Sequence, residues 1–268
     1  MHRWFVVLIS GLLILPASLQ AKSECVKVMA WDDDYPYVFS AQPEDSQPVG
    51  LRVELVENTL KTMNCQLNFL KMPWARALVE LEEGRIDIVG GAFPSEERKV
   101  YAWYSKVDFH SPNILFIRKD ISNDVVLNDL SDIEKYRLKV GVQIDVYYGK
   151  AFEEMRLDAG FSRLLHPNTS RKALWGMLRL GRIDGVIADI HSGQGELKQL
   201  GLSSLIMASD LIVSDQPSFF IFSKKSNTQK FVEDFDSALS KLKTTGAVNT
   251  ILKSYALLPI KNTTTARL

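Results

Sequence analysis

The sequence predicts an α/β protein built as two similar lobes joined by two crossover strands. Three observations carry that prediction. First, the tetrapeptide Gly-Arg-Ile-Asp occurs twice, at 84–87 and 181–184. Each copy follows a helix-like run containing a Trp (Trp74, Trp175) and precedes a short apolar run of strand character (88–89 and 186–188). In both copies the Gly stands where a helix C-terminus favours a residue free to take positive φ, and the Ile opens a buried strand. Second, the first half alternates strand and helix patterns in the order β-α-β-α-β, the signature of a mainly parallel sheet covered by helices. Third, two apolar runs, 113–117 and 218–222, each end in basic residues, Arg118-Lys119 and Lys224-Lys225, as a chain leaving one lobe and later returning would do.

At 268 residues, 46% hydrophobic and 24% charged, the chain has the composition of a globular protein of two medium domains. Its 32 basic and 32 acidic residues cancel, which gives no reason to expect nucleic acid or an anionic membrane surface as a partner. Residues 1–21 differ from the rest. A basic start at Arg3, an apolar run over 4–15 and small residues up to Ala21 form the pattern of a cleaved signal peptide, too short for a membrane span. The remainder is therefore expected to be exported and soluble. Its two cysteines, Cys25 and Cys65, open the first two strand patterns on either side of one helix. A βαβ unit can set those strand starts side by side, which favours a disulfide in an oxidising compartment.

In chain order, 26–30 alternates as a strand and runs into the polar-aromatic loop 31–37. Residues 51–63 carry apolar side chains at helical spacing, and 66–70 is a second strand. Pro73 opens a helix over 74–82. After the strand at 88–89, Gly90 and Gly91 permit close backbone approach, and Ser95 starts a short helical turn. The first lobe is expected over 22–113 and again over 223–262, with hinge strands near 114–117 and 218–222. The second lobe, 118–217, is expected to hold a helical turn at 127–131, a strand at 138–142, a helix over 147–160 and the second Gly-Arg-Ile-Asp unit. Amphipathic helices at 231–242 and 248–257 return to the first lobe, and 263–268 is a frayed tail. Open α/β sheets bind ligands beyond the carboxyl ends of their strands. That rule selects Trp31 to Tyr37, Trp74, Gly90 to Arg98, Asp145 to Tyr147 and Asp189 as candidates.

These residues resemble the bacterial extracellular solute-binding proteins of family 3, the periplasmic binding proteins of amino-acid ABC transporters. The resemblance runs from about Val26 to Tyr255. It rests on an ordered set: Tyr35-Pro36-Tyr37; Gly50-Leu51-Arg52-Val53-Glu54-Leu55; Leu81 with Gly84, Ile86 and Asp87; Glu97-Arg98 with Tyr104-Ser105; Lys139-Val140-Gly141-Val142-Gln143; and the second Gly-Arg-Ile-Asp. The resemblance implies a two-lobe type II periplasmic-binding-protein-like fold with two crossover hinge strands. It also implies that Arg98 clamps a ligand α-carboxylate by paired charge-assisted bonds, that Asp189 holds the α-ammonium, and that Trp74 stacks on the ligand. Tyr147 is expected at a helix N-terminus, where backbone N–H groups favour an anion. Trp31, Tyr35, Gly91 and Phe93 complete the expected pocket. Gly91 and Phe93 stand where the family often has hydroxyl residues, Asp145 where it commonly has Gly, and Arg76 adds a candidate cleft cation.

Each of these residues has an alternative reading. Arg98 could pair with Glu96 or Glu97 on the surface, Asp189 could cap a helix ahead of His191-Ser192, Trp74 could be core, and Arg76 could lie on a solvated helix face. Asp87 and Asp184 read as structural. The run Asp32-Asp33-Asp34 reads as a solvated loop, because consecutive carboxylates cannot all face one cation. Nucleophile-elbow, zinc-protease, redox Cys-x-x-Cys and phosphate-loop motifs are absent, and the four histidines have no metal spacing. The expected protein is thus a non-enzymatic, cofactor-free monomer. It would bind a small zwitterion such as an amino acid and serve an ABC permease. A membrane receptor is the alternative partner, and a dehydratase-like enzyme on the same fold the remaining alternative.

Overall fold

The structure, a computed structural model, describes residues 24–42, 45–246 and 250–251, with 107–109 described by backbone alone. The expected signal peptide, the tail and most of the 248–257 helix lie outside the described residues.

The chain opens with β1 (Cys25–Trp31), the short pair β2 (Phe39–Ser40) and β3 (Pro48–Val49), α1 (Leu51–Thr62), β4 (Cys65–Lys71) and α2 (Trp74–Glu82). Then come β5 (Ile88–Ala92), α3 (Glu96–Tyr101) and β6 (Ala102–His110). The second lobe holds β7 (Asn113–Arg118), α4 (Ser131–Lys135), β8 (Val140–Gln143), α5 (Lys150–Met155), α6 (Ala159–Ser162) and β9 (Leu165–Asn168). It continues with α7 (Arg171–Arg179), β10 (Gly185–Asp189), α8 (Ile190–Gln199) and β11 (Ile206–Ser214). The chain then returns through β12 (Pro217–Ser223) and α9 (Gln229–Thr244) to the first lobe.

Lobe 1 is a five-stranded sheet in the order β4-β1-β5-β12-β6, and lobe 2 a five-stranded sheet in the order β11-β7-β10-β8-β9. In both, three neighbouring strands run parallel, the strand entering the lobe (β12 or β7) pairs antiparallel to them, and the strand leaving it (β6 or β11) pairs antiparallel to the entering one. Helices cover both faces of each sheet. In lobe 1, α1 and α9 seal one side with Leu55, Leu60, Phe235 and Leu239, while α2 seals the other with Ala77 and Leu81. In lobe 2, Phe152 and Phe161 lie on one side and Leu174, Trp175 and Leu178 on the other.

The repeated tetrapeptide does the same work twice. Gly84 and Gly181 take φ of 73° and 68°, ending α2 and α7 in the left-handed region that disfavours a side chain. Ile86 and Ile183 are buried. Asp87 accepts the backbone N–H of Val28 at 2.9 Å, and Asp184 that of Lys139 at 2.9 Å, so each carboxylate pins the start of the parallel strand beside it. Lys27 and Arg118 supply the countercharges at 3.2 and 3.4 Å. The Cys25–Cys65 disulfide is present, joining directly registered residues of β1 and β4.

Several expectations are corrected. The two crossovers are present, but the chain crosses just before 114–117 and 218–222, which lie in β7 of the lobe 2 sheet and β12 of the lobe 1 sheet. The chain passes between sheets at 111–112 and 215–216, because the apolar runs are buried strands with partners on both sides. The helix expected over 147–160 is two short ones: Gly149, at φ 98°, starts α5, and the Asp158 carboxylate caps α6 by accepting from Gly160 and Phe161. The helical turn expected at 127–131 forms later, as α4, where Asp132 accepts from the Asn128 and Asp129 N–H groups. Among the described residues five strands had no sequence expectation: the short β2 and β3, and β6, β9 and β11.

Candidate functional site

The carboxyl ends of β1, β5, β8 and β10 meet where the two lobes face each other, and the loops beyond them line one cavity. The centre of a water molecule can reach about 130 Å³ of it. That is roughly ten times what one water needs, so the chamber takes a ligand of several heavy atoms.

Of the expected site residues, Trp31, Trp74, Gly91, Phe93, Arg98, Tyr147 and Asp189 line this cavity. Arg98 comes from α3, which Ser95 caps by accepting the Arg98 N–H. The residue is 6% exposed and its guanidinium is, among the described residues, in no ion pair; Glu96 pairs with Lys99 instead. It donates to the Phe93 carbonyl at 3.0 Å and, across the cleft, to the Asp145 carbonyl at 2.7 Å. A guanidinium has five N–H groups, so donors remain unspent. Trp74 also reaches across, its indole N–H donating to the Asp145 carbonyl at 2.9 Å, with the Arg98 guanidinium 5.7 Å from its ring centre. Asp145, at φ 59°, is in the left-handed conformation that Gly adopts most easily and Asp tolerates, and this turns its carbonyl toward lobe 1.

Asp189 ends β10 and caps α8, its Oδ1 accepting from the His191 and Ser192 N–H groups at 3.0 and 2.9 Å. The capping reading is therefore correct, and among the described residues the other donor is the Tyr37 hydroxyl of the opposite lobe, 3.3 Å from Oδ1 and 3.4 Å from Oδ2. Burial and the Asp189 charge push the Tyr37 hydroxyl well above the usual range, so Tyr37 acts as a neutral donor.

Two expected residues lie elsewhere. The Arg76 side chain is 62% exposed and pairs with Glu80 one turn along α2, so it is a surface cation. Tyr35 stacks on Phe39 at 4.9 Å between ring centres and packs on α8 of lobe 2, where a Cβ at Gly195 would come within 2.1 Å of its ring. Tyr147 lines the cavity from the loop before α5, not from a helix N-terminus.

The sequence reading missed a cluster at one wall of the cavity. Asp34, 26% exposed in its side chain, accepts from Arg52 at 2.7 Å, from Arg171 of lobe 2 at 2.8 Å and from the Ser192 hydroxyl at 2.6 Å. Arg171 also grips Glu196 through two nitrogens, and Trp175 donates its indole N–H to Glu196 at 2.6 Å. Burial would raise the Asp34 carboxyl, but the Arg171 and Arg52 guanidinium groups and the Ser192 hydroxyl outweigh it and hold it at about 2. Burial would lower Arg171, yet Glu196 and Asp34 raise it well above its ordinary value. Gly91, at φ 86°, makes room for Arg52, whose Cζ lies 2.6 Å from where a Gly91 Cβ would be; the guanidinium rests on the Tyr37 ring at 4.2 Å. Of the three consecutive aspartates only Asp33 is a solvated loop residue, paired with Lys71 at 2.6 Å. Asp32 lines the cavity, and burial raises its carboxyl.

Among the described residues no three or more His, Cys, Asp or Glu side chains are arranged to hold a metal ion, and no helix is long and apolar enough to cross a membrane.

Comparison with known proteins places this architecture. The model of the bacterial extracellular solute-binding proteins, family 3, matches residues 26–257. The chain is a family 3 solute-binding protein. The probable histidine-binding protein of Campylobacter jejuni is 23% identical to it over 216 residues, 80% of this chain and 79% of the relative. The probable amino-acid-binding protein YxeM of Bacillus subtilis is 21% identical over 263 residues, 95% of each. Among solved structures, a histidine kinase sensor domain similar to periplasmic binding proteins superposes with a TM-score of 0.75 at 20% identity, covering 88% of this chain and 96% of that one. An ancestral arginine-binding protein bound to arginine gives 0.72 at 21% identity, covering 86% and 98%. The solute-binding protein therefore has the two-lobe fold of the type II periplasmic binding proteins, and its cavity lies between the lobes.

Proposed function

We propose that this solute-binding protein captures an α-amino acid, or a close zwitterionic relative, between its lobes and delivers it to an ABC permease. One observation carries the reading. Arg98 from lobe 1 and Asp189 from lobe 2 line the same cavity, carry opposite charges and keep hydrogen-bonding capacity unspent. A ligand carboxylate on Arg98 and ammonium on Asp189 would bridge the lobes and stabilise the closed state, the only state in which that bridge exists. Trp31, Trp74 and Phe93 supply apolar wall for the rest of the ligand, with Tyr147 opposite. The lobes hinge at 111–112 and 215–216. Residues 1–21 direct export, and the protein works in the periplasm as a monomer that binds without turnover. The names of its relatives, histidine- and amino-acid-binding proteins, agree with this ligand class.

The likeness to a kinase sensor domain favours a second reading, in which the occupied protein signals to a membrane receptor. Ligand binding is common to both; co-purification with a permease or with a receptor separates them.

A thermal-shift screen of the mature chain against amino acids, dicarboxylates, polyamines and short peptides tests the ligand class. A ligand at 100 times its Kd adds about 2.7 kcal/mol of stability. Amino acids are expected to shift the transition, and Arg98→Ala and Asp189→Ala each to remove most of the shift. Unchanged binding in either variant would remove that residue from the site.

A further inference from the structure

The contacts across the cleft are of two kinds. Among the described residues Arg98 and Asp189 meet only neutral groups across the cleft, the Asp145 carbonyl and the Tyr37 hydroxyl, so their charges need a ligand to match them. The Asp34 cluster does not. Its two carboxylates, Asp34 and Glu196, balance its two guanidinium groups, Arg52 and Arg171, with no contribution from a ligand. The side chains of Arg52, Arg171 and Glu196 are 7%, 13% and 14% exposed.

We infer that Asp34, Arg171 and Ser192 form a ligand-independent latch that keeps the two lobes closed and so sets affinity. The argument is one of division. Asp34 and Arg52 belong to lobe 1; Arg171, Glu196 and Ser192 belong to lobe 2. When the lobes part, Asp34 keeps Arg52 and Arg171 keeps Glu196, so neither half is left with an uncompensated ion. Closure therefore buries ions that are already paired, which avoids most of the desolvation penalty that makes buried salt bridges unprofitable. It adds two charge-assisted hydrogen bonds, from Arg171 at 2.8 Å and from Ser192 at 2.6 Å. Tyr35 closing over Gly195 adds apolar contact beside the latch.

A protein already closed most of the time exacts little conformational cost from its ligand, because the apparent Kd is the intrinsic one divided by the fraction competent to bind. Removing the latch should then weaken every ligand by one common factor. The inference holds whether or not the ligand is an amino acid.

Small-angle X-ray scattering tests it without a ligand. The full mature chain is stripped of bound solute by unfolding in guanidinium with its disulfide intact, then refolded. The stripped wild type is expected to scatter as the closed form computed from the structure, and stripped Arg171→Met to show a larger radius of gyration. Asp34→Asn takes the place of Arg171→Met if circular dichroism shows that the latter does not fold. An expanded stripped wild type would overturn the latch, and so would a folded latch variant with unchanged scattering. Failure of the amino-acid reading alters neither measurement.

Discussion

Asp34 shows how much a single neighbouring charge decides. Its folded value near 2 lies below the ordinary carboxyl value of 3.8, so the ionised form is the one that the fold favours. Its contribution is complete above about pH 4 and is lost as pH falls through about 2. The difference corresponds to roughly 2 kcal/mol at neutral pH. Thermal unfolding of wild type and Asp34→Asn at several pH values should therefore give midpoints that differ at pH 6 and converge toward pH 2. Equal midpoints at pH 6 would show that Arg52, Arg171 and Ser192 gain nothing from the charge, and the neighbouring Asp32 and Asp33 would then have to account for any acid sensitivity. The sequence concealed this residue because three adjacent aspartates read as one solvated run. Their fates differ: Asp32 lines the cavity, Asp33 pairs with Lys71, and Asp34 pairs with Arg52 and Arg171. Arg52 was concealed for a related reason: periodicity scores the apolar face of α1 and does not register a cation buried over a tyrosine ring. By contrast Arg98, Asp189, Trp74 and Phe93 were legible because each follows a strand or opens a helix at a recognisable motif.

At the scale of elements, the repeated tetrapeptide is scaffold. Asp87→Asn keeps the shape and removes the charge that faces Lys27 and the Val28 N–H, and Asp184→Asn does the same opposite Lys139 and Arg118. Each should lower stability by about 1–2 kcal/mol in chemical denaturation while leaving ligand Kd unchanged. A large change in Kd would mean that the repeat carries chemistry after all. Reduction of Cys25–Cys65 releases a sequence separation of 40 residues and is expected to cost about 4 kcal/mol on the chain-entropy estimate, read as a lower denaturant midpoint after treatment with a thiol. The central strands β5, β7, β10 and β12 were legible because burial on both faces leaves near-continuous apolar runs, and β1 was legible from its alternation. Of the strands that went unread, β2 and β3 are two residues long, and β6, β9 and β11 are edges of their sheets. One face of an edge strand meets water, β9 contains Pro167, and the register of β11 shifts between Ala208 and Ile212, so no clean alternation survives.

At the scale of the molecule, the proposed function depends on two lobes presenting unlike charges to one cavity. The two-lobe plan was legible because the sequence states it twice, and the order of helix and strand patterns fixes which ends of the sheets meet. The positions of the chain crossings were not, since sequence marks where a strand is apolar but not which sheet it joins. The amino acid that gives the largest thermal shift allows the central claim to be tested directly, by isothermal titration of that compound beside two analogues. One analogue lacks the α-carboxylate and the other the α-ammonium, with the side chain unchanged. If Arg98 and Asp189 hold the two charged groups, each analogue should bind at least 100-fold more weakly, about 2.7 kcal/mol. Undiminished binding of either analogue would contradict the account.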